Sequence, residues 1–148
     1  MKTFAILAIA VCCWSCASDE AAPSYAEAQS IVDGIVAKHP EVVRLTIHAV
    51  PSGKMESQVI ASNIAAKLGK KSDPEDISAM ATGETVVLKE GVNLDVTIAI
   101  KNAAGKAIAA TGVTINPGAD GDDAAKKKAM AVADEVAAAI NASPKALW

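Results

Sequence analysis

The sequence predicts an α+β fold: a five-stranded antiparallel sheet with an N-terminal and a C-terminal helix on one face and a loop plus a short helix on the other. Three observations carry this. Five segments read as strands, the clearest alternating apolar and polar residues with the period of a half-buried strand. Three others read as helices, and the order along the chain is helix, two strands, short helix, three strands, helix. The first and last helices each have one apolar stripe, so both must cover the same apolar side of the sheet.

The elements follow in order. Ser24 and Glu27 stand at capping-box spacing and open a helix in which Ala28, Ile31, Val32, Ile35 and Val36 form the stripe. His39-Pro40 closes it, because a residue before proline is pushed out of the helical region. From Val42 to Val50 the period becomes two: Val43, Leu45, Ile47 and Ala49 point one way, and Arg44, Thr46 and His48 the other. Pro51-Ser52-Gly53-Lys54 makes a turn, and a second strand spans Ser57 to Ser62. After the polar stretch Asn63 to Ser72, Asp73-Pro74-Glu75-Asp76 opens a short helix with a capping residue, a proline at the first helical position and acids at the positive end of the dipole. Gly83 stops that helix. Three strands follow at Glu84 to Lys89, Asn93 to Lys101 and Lys106 to Ile115, the last two joined by the hairpin loop Asn102-Ala103-Ala104-Gly105. Asp122 or Asp123 then opens a helix to Asn141, with Ala129, Val132, Val136 and Ile140 as its stripe and Lys126-Lys127-Lys128 on its wet side.

All three cysteines of the 148 residues lie within the first sixteen, in an apolar run introduced by Lys2. That pattern reads as an export signal over residues 1–17, too short to span a bilayer as a finished helix, followed by a polar tether over 18–23 and a single domain over 24–148. Two processing routes are open. Ser15 and Ala17 suit a signal peptidase that leaves Ser18 first. A lipoprotein route would instead keep and acylate Cys16, making a lipid anchor the only membrane attachment. The chain is expected to be exported, to the periplasm or the envelope of a bacterium.

Composition narrows the task. About 120 residues suffice to bury one core, and with no cysteine beyond Cys16 that core rests on packing rather than on disulfides. Thiolate zinc sites are excluded. The net charge of −3 provides no basic field for a nucleic acid. Beyond the signal the aromatics are Tyr25, near the start, and Trp148, the last residue, so stacking sites for sugars, bases and quaternary amines lack their ring faces.

The segments Ser57-Gln58-Val59-Ile60-Ala61-Ser62-Asn63, Lys67-Leu68-Gly69-Lys70-Lys71-Ser72, Asp73-Pro74-Glu75-Asp76 and Gly105-Lys106-Ala107-Ile108-Ala109-Ala110-Thr111-Gly112-Val113 carry a family likeness. Over Ser24 to Ile115 the chain resembles the extracytoplasmic sensor modules called Cache or PDC domains, which have a PAS-like fold. The resemblance implies a helix-backed five-stranded sheet whose other face, closed over by the segment between strands two and three, holds a small ligand. It also implies an envelope receptor or transporter as partner. Two departures stand out. A soluble helix from Asp122 to Asn141 takes the place of the second membrane helix and output domain, and the aromatic residues of the amino-acid-sensing subgroup are missing. A second likeness is to small haem-utilisation-associated proteins, which pair a sheet with flanking helices and would make the chain a haem-handling or enzymatic protein.

The candidate site sits on the polar side of the strands. Arg44, the only arginine, shares its face with Thr46 and His48, and Asp95 and Thr97 occupy the matching face of a later strand. A guanidinium fork suits the carboxylate of a small ligand. The plainer alternative pairs Arg44 with Asp95 across the sheet and needs no ligand. No activated serine accompanies His48 and Asp95 at Ser57 or Ser62, so no catalytic residues and no enzymatic activity are expected. No metal site is expected either, since His39 and His48 lack ligand spacing. Gly69-Lys70-Lys71-Ser72 fails as a phosphate loop, because Ile64 stands where a glycine is required. No cofactor is read from the sequence.

Overall fold

A computed structural model describes residues 25–148. The signal, the tether, Cys16, Ser18 and the Ser24 cap lie outside the described residues. The described chain runs α1 (Ala26–Val36), β1 (Val42–Ala49), β2 (Gln58–Ser62), a 3-10 turn (Ala65–Lys67), α2 (Pro74–Thr82), β3 (Val86–Glu90), β4 (Asn93–Lys101), β5 (Ala107–Ile115) and α3 (Gly121–Ala142). The five strands form one antiparallel sheet in the order β2-β1-β5-β4-β3. Among the described residues no helix is long and apolar enough to cross a membrane.

Strand alternation divides the sheet into two chemistries. Leu45, Val113 and Val96 stand side by side on one face, with Ile115 beside Leu94 and Ala109 beside Ile100. These residues are buried beneath α1 and α3, which supply Ala28, Val32, Ile35, Ala129, Val132, Val136 and Ile140 to the same core. On the opposite face Arg44, Thr114 and Asp95 form one row, Thr46, Gly112 and Thr97 the next, and His48, Ala110 and Ala99 a third. α2 packs over that second face, against β4 and β5.

Several local expectations are corrected. Tyr25, without a side-chain cap, precedes α1, and the Glu27 carboxylate accepts a hydrogen bond from the Ser143 hydroxyl. Val43 is not a core residue. A register shift between Val42 and Arg44 inserts a bulge, so Val42 turns inward and Val43 is 46% exposed. Beyond the paired end of β2 the Asn63 side chain takes over the ladder: its Oδ1 accepts from the Leu45 N–H at 2.8 Å and its Nδ2 donates to the Val43 carbonyl at 3.3 Å. The side-chain amide thereby satisfies backbone groups that the missing strand would have paired. β3 begins at Val86 rather than Glu84, because Gly83 ends α2 in the left-handed region at φ 73° and the chain must turn before it can pair.

The hairpin follows its expectation closely. Asn102 Oδ1 accepts from the N–H groups of Ala104 and Lys106, and Gly105 takes φ 76°. A small polar side chain and a glycine are what so tight a reversal requires.

Candidate functional site

The segment between β2 and α2 does not float over the sheet. It returns beside β2, with the Val59 N–H donating to the Lys70 carbonyl at 2.8 Å and the Gly69 N–H to the Val59 carbonyl at 2.9 Å. That return delivers Lys67, Lys70 and Lys71 to the rim of the polar face. It also places Ser72 and the first turn of α2 directly above His48. A cleft of about 260 Å³ lies between sheet and segment, with Arg44, Thr46, His48 and Asp95 among the strand residues that line it.

Four of the five site residues expected from the sequence reach this cleft, and the fifth, Thr97, sits buried in its floor beside Gly112. Arg44 meets two carboxylates: its Nη2 donates to Glu90 at 3.0 and 3.1 Å and lies 3.3 Å from Asp95 Oδ1. Burial works against the Arg44 charge, but Glu90 and Asp95 more than offset it and hold the guanidinium above its ordinary value. Asp95 Oδ1 also accepts from the Thr114 hydroxyl at 2.6 Å. The pairing of Arg44 with Asp95 is therefore present, and Glu90 adds a second anchor on the far strand. A ligand carboxylate drawn to Arg44 must share it with these two.

His48 has partners other than Asp95. Its Nδ1 lies 3.0 Å from Ser72 Oγ and 3.2 Å from Asp76 Oδ2, and its Nε2 lies 2.9 Å from Thr46 Oγ1. Asp76 also accepts from the Asp73 N–H at 3.0 Å and from the Thr97 hydroxyl at 3.4 Å. One carboxylate thus caps α2 and fastens it to two strands. Burial pushes the His48 imidazole down to about 4, with the charges of Lys67 and Arg44 adding to the effect. Burial pushes the Asp76 carboxyl up to about 6; the Asp73 backbone opposes this, and the carboxylates of Glu75, Asp73 and Asp95 reinforce it. At neutral pH His48 is uncharged and Asp76 is ionised.

Sequence reasoning missed Asp76, Ser72 and the lysines. The acids of Asp73-Pro74-Glu75-Asp76 read as a helix start, which they are, and that role concealed the second one. The available signal was helical spacing: Asp76 and Ala79 are the buried residues of α2, so the acid lies on its sheet-facing side. Ser57, considered beside His48 from the sequence, is one step removed, since its Oγ meets Ser72 Oγ at 2.8 Å.

Gly112 sets how closely this floor packs. A Cβ there would come 2.7 Å from Thr46 Oγ1, the hydroxyl that faces His48. Gly112→Ala is expected to displace Thr46, break its bond to His48 and destabilise the protein by about 1–3 kcal/mol in urea unfolding. An unchanged midpoint would mean that the floor has slack.

No protein-family model and no curated protein matches the sequence. Solved structures do match. The chain is similar to the GAF domain of an Acinetobacter phosphoenolpyruvate-protein phosphotransferase, with a TM-score of 0.57 and 12% identity over 85% of this chain and 87% of that one. It is similar to a double mutant of the inducer-binding domain of the PobR transcription factor from Acinetobacter, described in complex with 3-hydroxybenzoic acid, with a TM-score of 0.51 and 11% identity over 81% and 98%. A free methionine-R-sulfoxide reductase from Thermoplasma acidophilum matches with a TM-score of 0.56 and 11% identity over 80% and 93%. At these identities the likeness is one of fold: a GAF/PAS-like α+β domain, the coarser class to which the expected Cache architecture is related.

Proposed function

We propose that this chain is an exported, small-molecule-binding sensory domain of Cache-like type, which takes a small organic carboxylate in the cleft between the polar face of the sheet and the segment from Asn63 to Thr82. The observation that carries this reading is the pair of lysines, Lys67 and Lys70, that stand beside Arg44 in a cleft also lined by the carboxylates of Asp73, Glu75, Asp76 and Asp95. Neither lysine appears in an ion pair among the described residues. Two lysines without an ion-pair partner beside a half-buried arginine attract an anion, and Arg44 adds the planar geometry that a carboxylate matches. Burial first, and then the charges of Lys67 and Arg44, hold His48 below its ordinary value, so both cations act at the floor. The double mutant of the PobR inducer-binding domain, in complex with 3-hydroxybenzoic acid, is a precedent for such a ligand on this fold. The same reading keeps Thr46, His48, Asp95 and Thr97 as floor residues, with an envelope receptor or transporter receiving the signal. Export rests on the N-terminal pattern, with Ser18 or an acylated Cys16 as the mature start.

Thermal-shift screening of the exported form against small organic acids tests the reading. A stabilising acid is expected, and Arg44→Lys should weaken it about tenfold or more, because an ammonium cannot reproduce a two-bond planar contact. A best ligand that is uncharged, or binding unaltered in that variant, would remove Arg44 from the site.

A further inference from the structure

The floor of the cleft holds a connected set of proton donors and acceptors that neither the fold nor a simple anion site requires. His48 and Asp76 are both almost fully buried, at 5% and 4% exposure. Thr46 Oγ1 lies 2.9 Å from His48 Nε2 and 3.3 Å from the Gly112 carbonyl, so its single proton has two acceptors within reach. Ser72 Oγ likewise lies between His48 Nδ1 and Ser57 Oγ. Each hydroxyl can turn.

We infer that His48, Asp76 and Thr46 form a proton-storing relay, which takes up one proton beneath the ligand cleft and keeps α2 fastened to the sheet in both states. With Asp76 ionised, the His48 Nδ1–H is shared between Ser72 Oγ at 3.0 Å and Asp76 Oδ2 at 3.2 Å, and Nε2 accepts from the Thr46 hydroxyl. When a proton arrives from the cleft, Thr46 Oγ1 receives it as the Thr46 proton passes to Nε2, and the Nδ1 proton passes to Asp76, whose O–H then donates back to Nδ1. The imidazole proton now sits on Nε2 and donates to Thr46 Oγ1, and the Thr46 hydroxyl turns to the Gly112 carbonyl. No contact to His48 is lost and the imidazole stays neutral throughout. The alternative of charging His48 would bury a cation beside Arg44 and Lys67, whereas neutralising Asp76 relieves crowding among carboxylates.

The groups facing this pair come from every element around it. Arg44 lies on the same strand, Asp95 on β4, Lys67 on the 3-10 turn, and Lys70 and Lys71 on the returning segment. Asp73 and Glu75 share the first turn of α2 with Asp76, and carboxylate oxygens of the three lie within 4.8 Å of one another. An anion entering the cleft adds negative charge beside Asp76 and so favours the protonated state. This consequence rests on the carboxylate reading proposed above: binding would be accompanied by proton uptake and would strengthen below neutral pH.

Nitrogen NMR of the two histidines of the whole protein, followed from pH 7.5 to 5, reads the relay without any ligand. His39, partly exposed beside Glu41 and Glu135, serves as the internal reference. His48 is expected to remain neutral while its proton passes from Nδ1 to Nε2 with a midpoint near 6. An imidazolium signal from His48 at pH 6, or one unchanging tautomer across the range, would overturn the inference. Asp76→Asn should abolish the step; if that variant does not fold, Thr46→Val, which removes the acceptor of the second state, should suppress it or shift it to lower pH. A step unaltered in Thr46→Val would count against the relay. Repeating the wild-type titration in saturating acetate separates the two ideas. A midpoint moved to higher pH supports the coupling, whereas a tautomer exchange that persists unmoved keeps the relay and counts against the carboxylate site.

Discussion

Replacing Asp76 by Asn is expected to add about 2–3 kcal/mol, relative to the wild type, to the stability lost as pH falls from 6.5 to 4. The reason is that two buried groups oppose one another. His48 lies below its ordinary 6.5 in the folded chain, at about 4, so between those values the unfolded chain binds more protons and acid favours unfolding. Asp76 lies above its ordinary 3.8, at about 6, so over that window the folded chain binds more protons and acid favours folding. The two slopes largely cancel. Asparagine keeps the shape and still accepts from the Asp73 N–H, but it cannot take up the proton, and the His48 term then stands alone. Urea unfolding at four pH values checks this. A variant whose pH dependence matches that of the wild type would mean that Asp76 takes up no proton in the folded chain over this range.

Leu45→Ala is expected to destabilise the fold by about 2–5 kcal/mol, the usual range for a buried leucine whose surroundings cannot collapse. Leu45 is fully buried on a central strand, beside Val113, with Val96 next on β4, and under the two long helices. Its backbone cannot slide to fill the gap, because its N–H is held by Asn63 and its neighbour Thr46 is held in the polar floor. The loss should appear as a lower denaturant midpoint with an unchanged slope. A cost below about 1 kcal/mol would mean that α1 and α3 settle into the space.

The parts of this fold that could be read from the sequence are those whose causes are local. Leu94, Val96 and Ile100 announce one face of β4, Asn102 to Gly105 announce the hairpin, and the stripe from Ala129 to Ile140 announces the docked side of α3. Alternation could not reveal the inserted residue after Val42, since a bulge changes which residues face inward without changing their types. The site divides the same way. Arg44, Thr46, His48, Asp95 and Thr97 share a face because strand periodicity says so. Asp76, Ser72, Lys67 and Glu90 join them only through the return of the segment beside β2 and the placing of β3 at the sheet edge, both of which are long-range facts. An acid at the third position of a helix signals a cap, and nothing near it in the chain signals the histidine it meets.

A small carboxylate is expected to bind the polar face of the sheet and not the helix-covered side. Backbone amide shifts measured during titration with the best acid from the thermal screen address it most directly. Saturable changes are expected at Arg44, Thr46, Thr97, Gly112 and the segment from Lys67 to Asp76, greatly weakened in Arg44→Lys. Changes centred on α1, α3 or the exposed edge at β3, or a pattern that persists unaltered in Arg44→Lys, would contradict it.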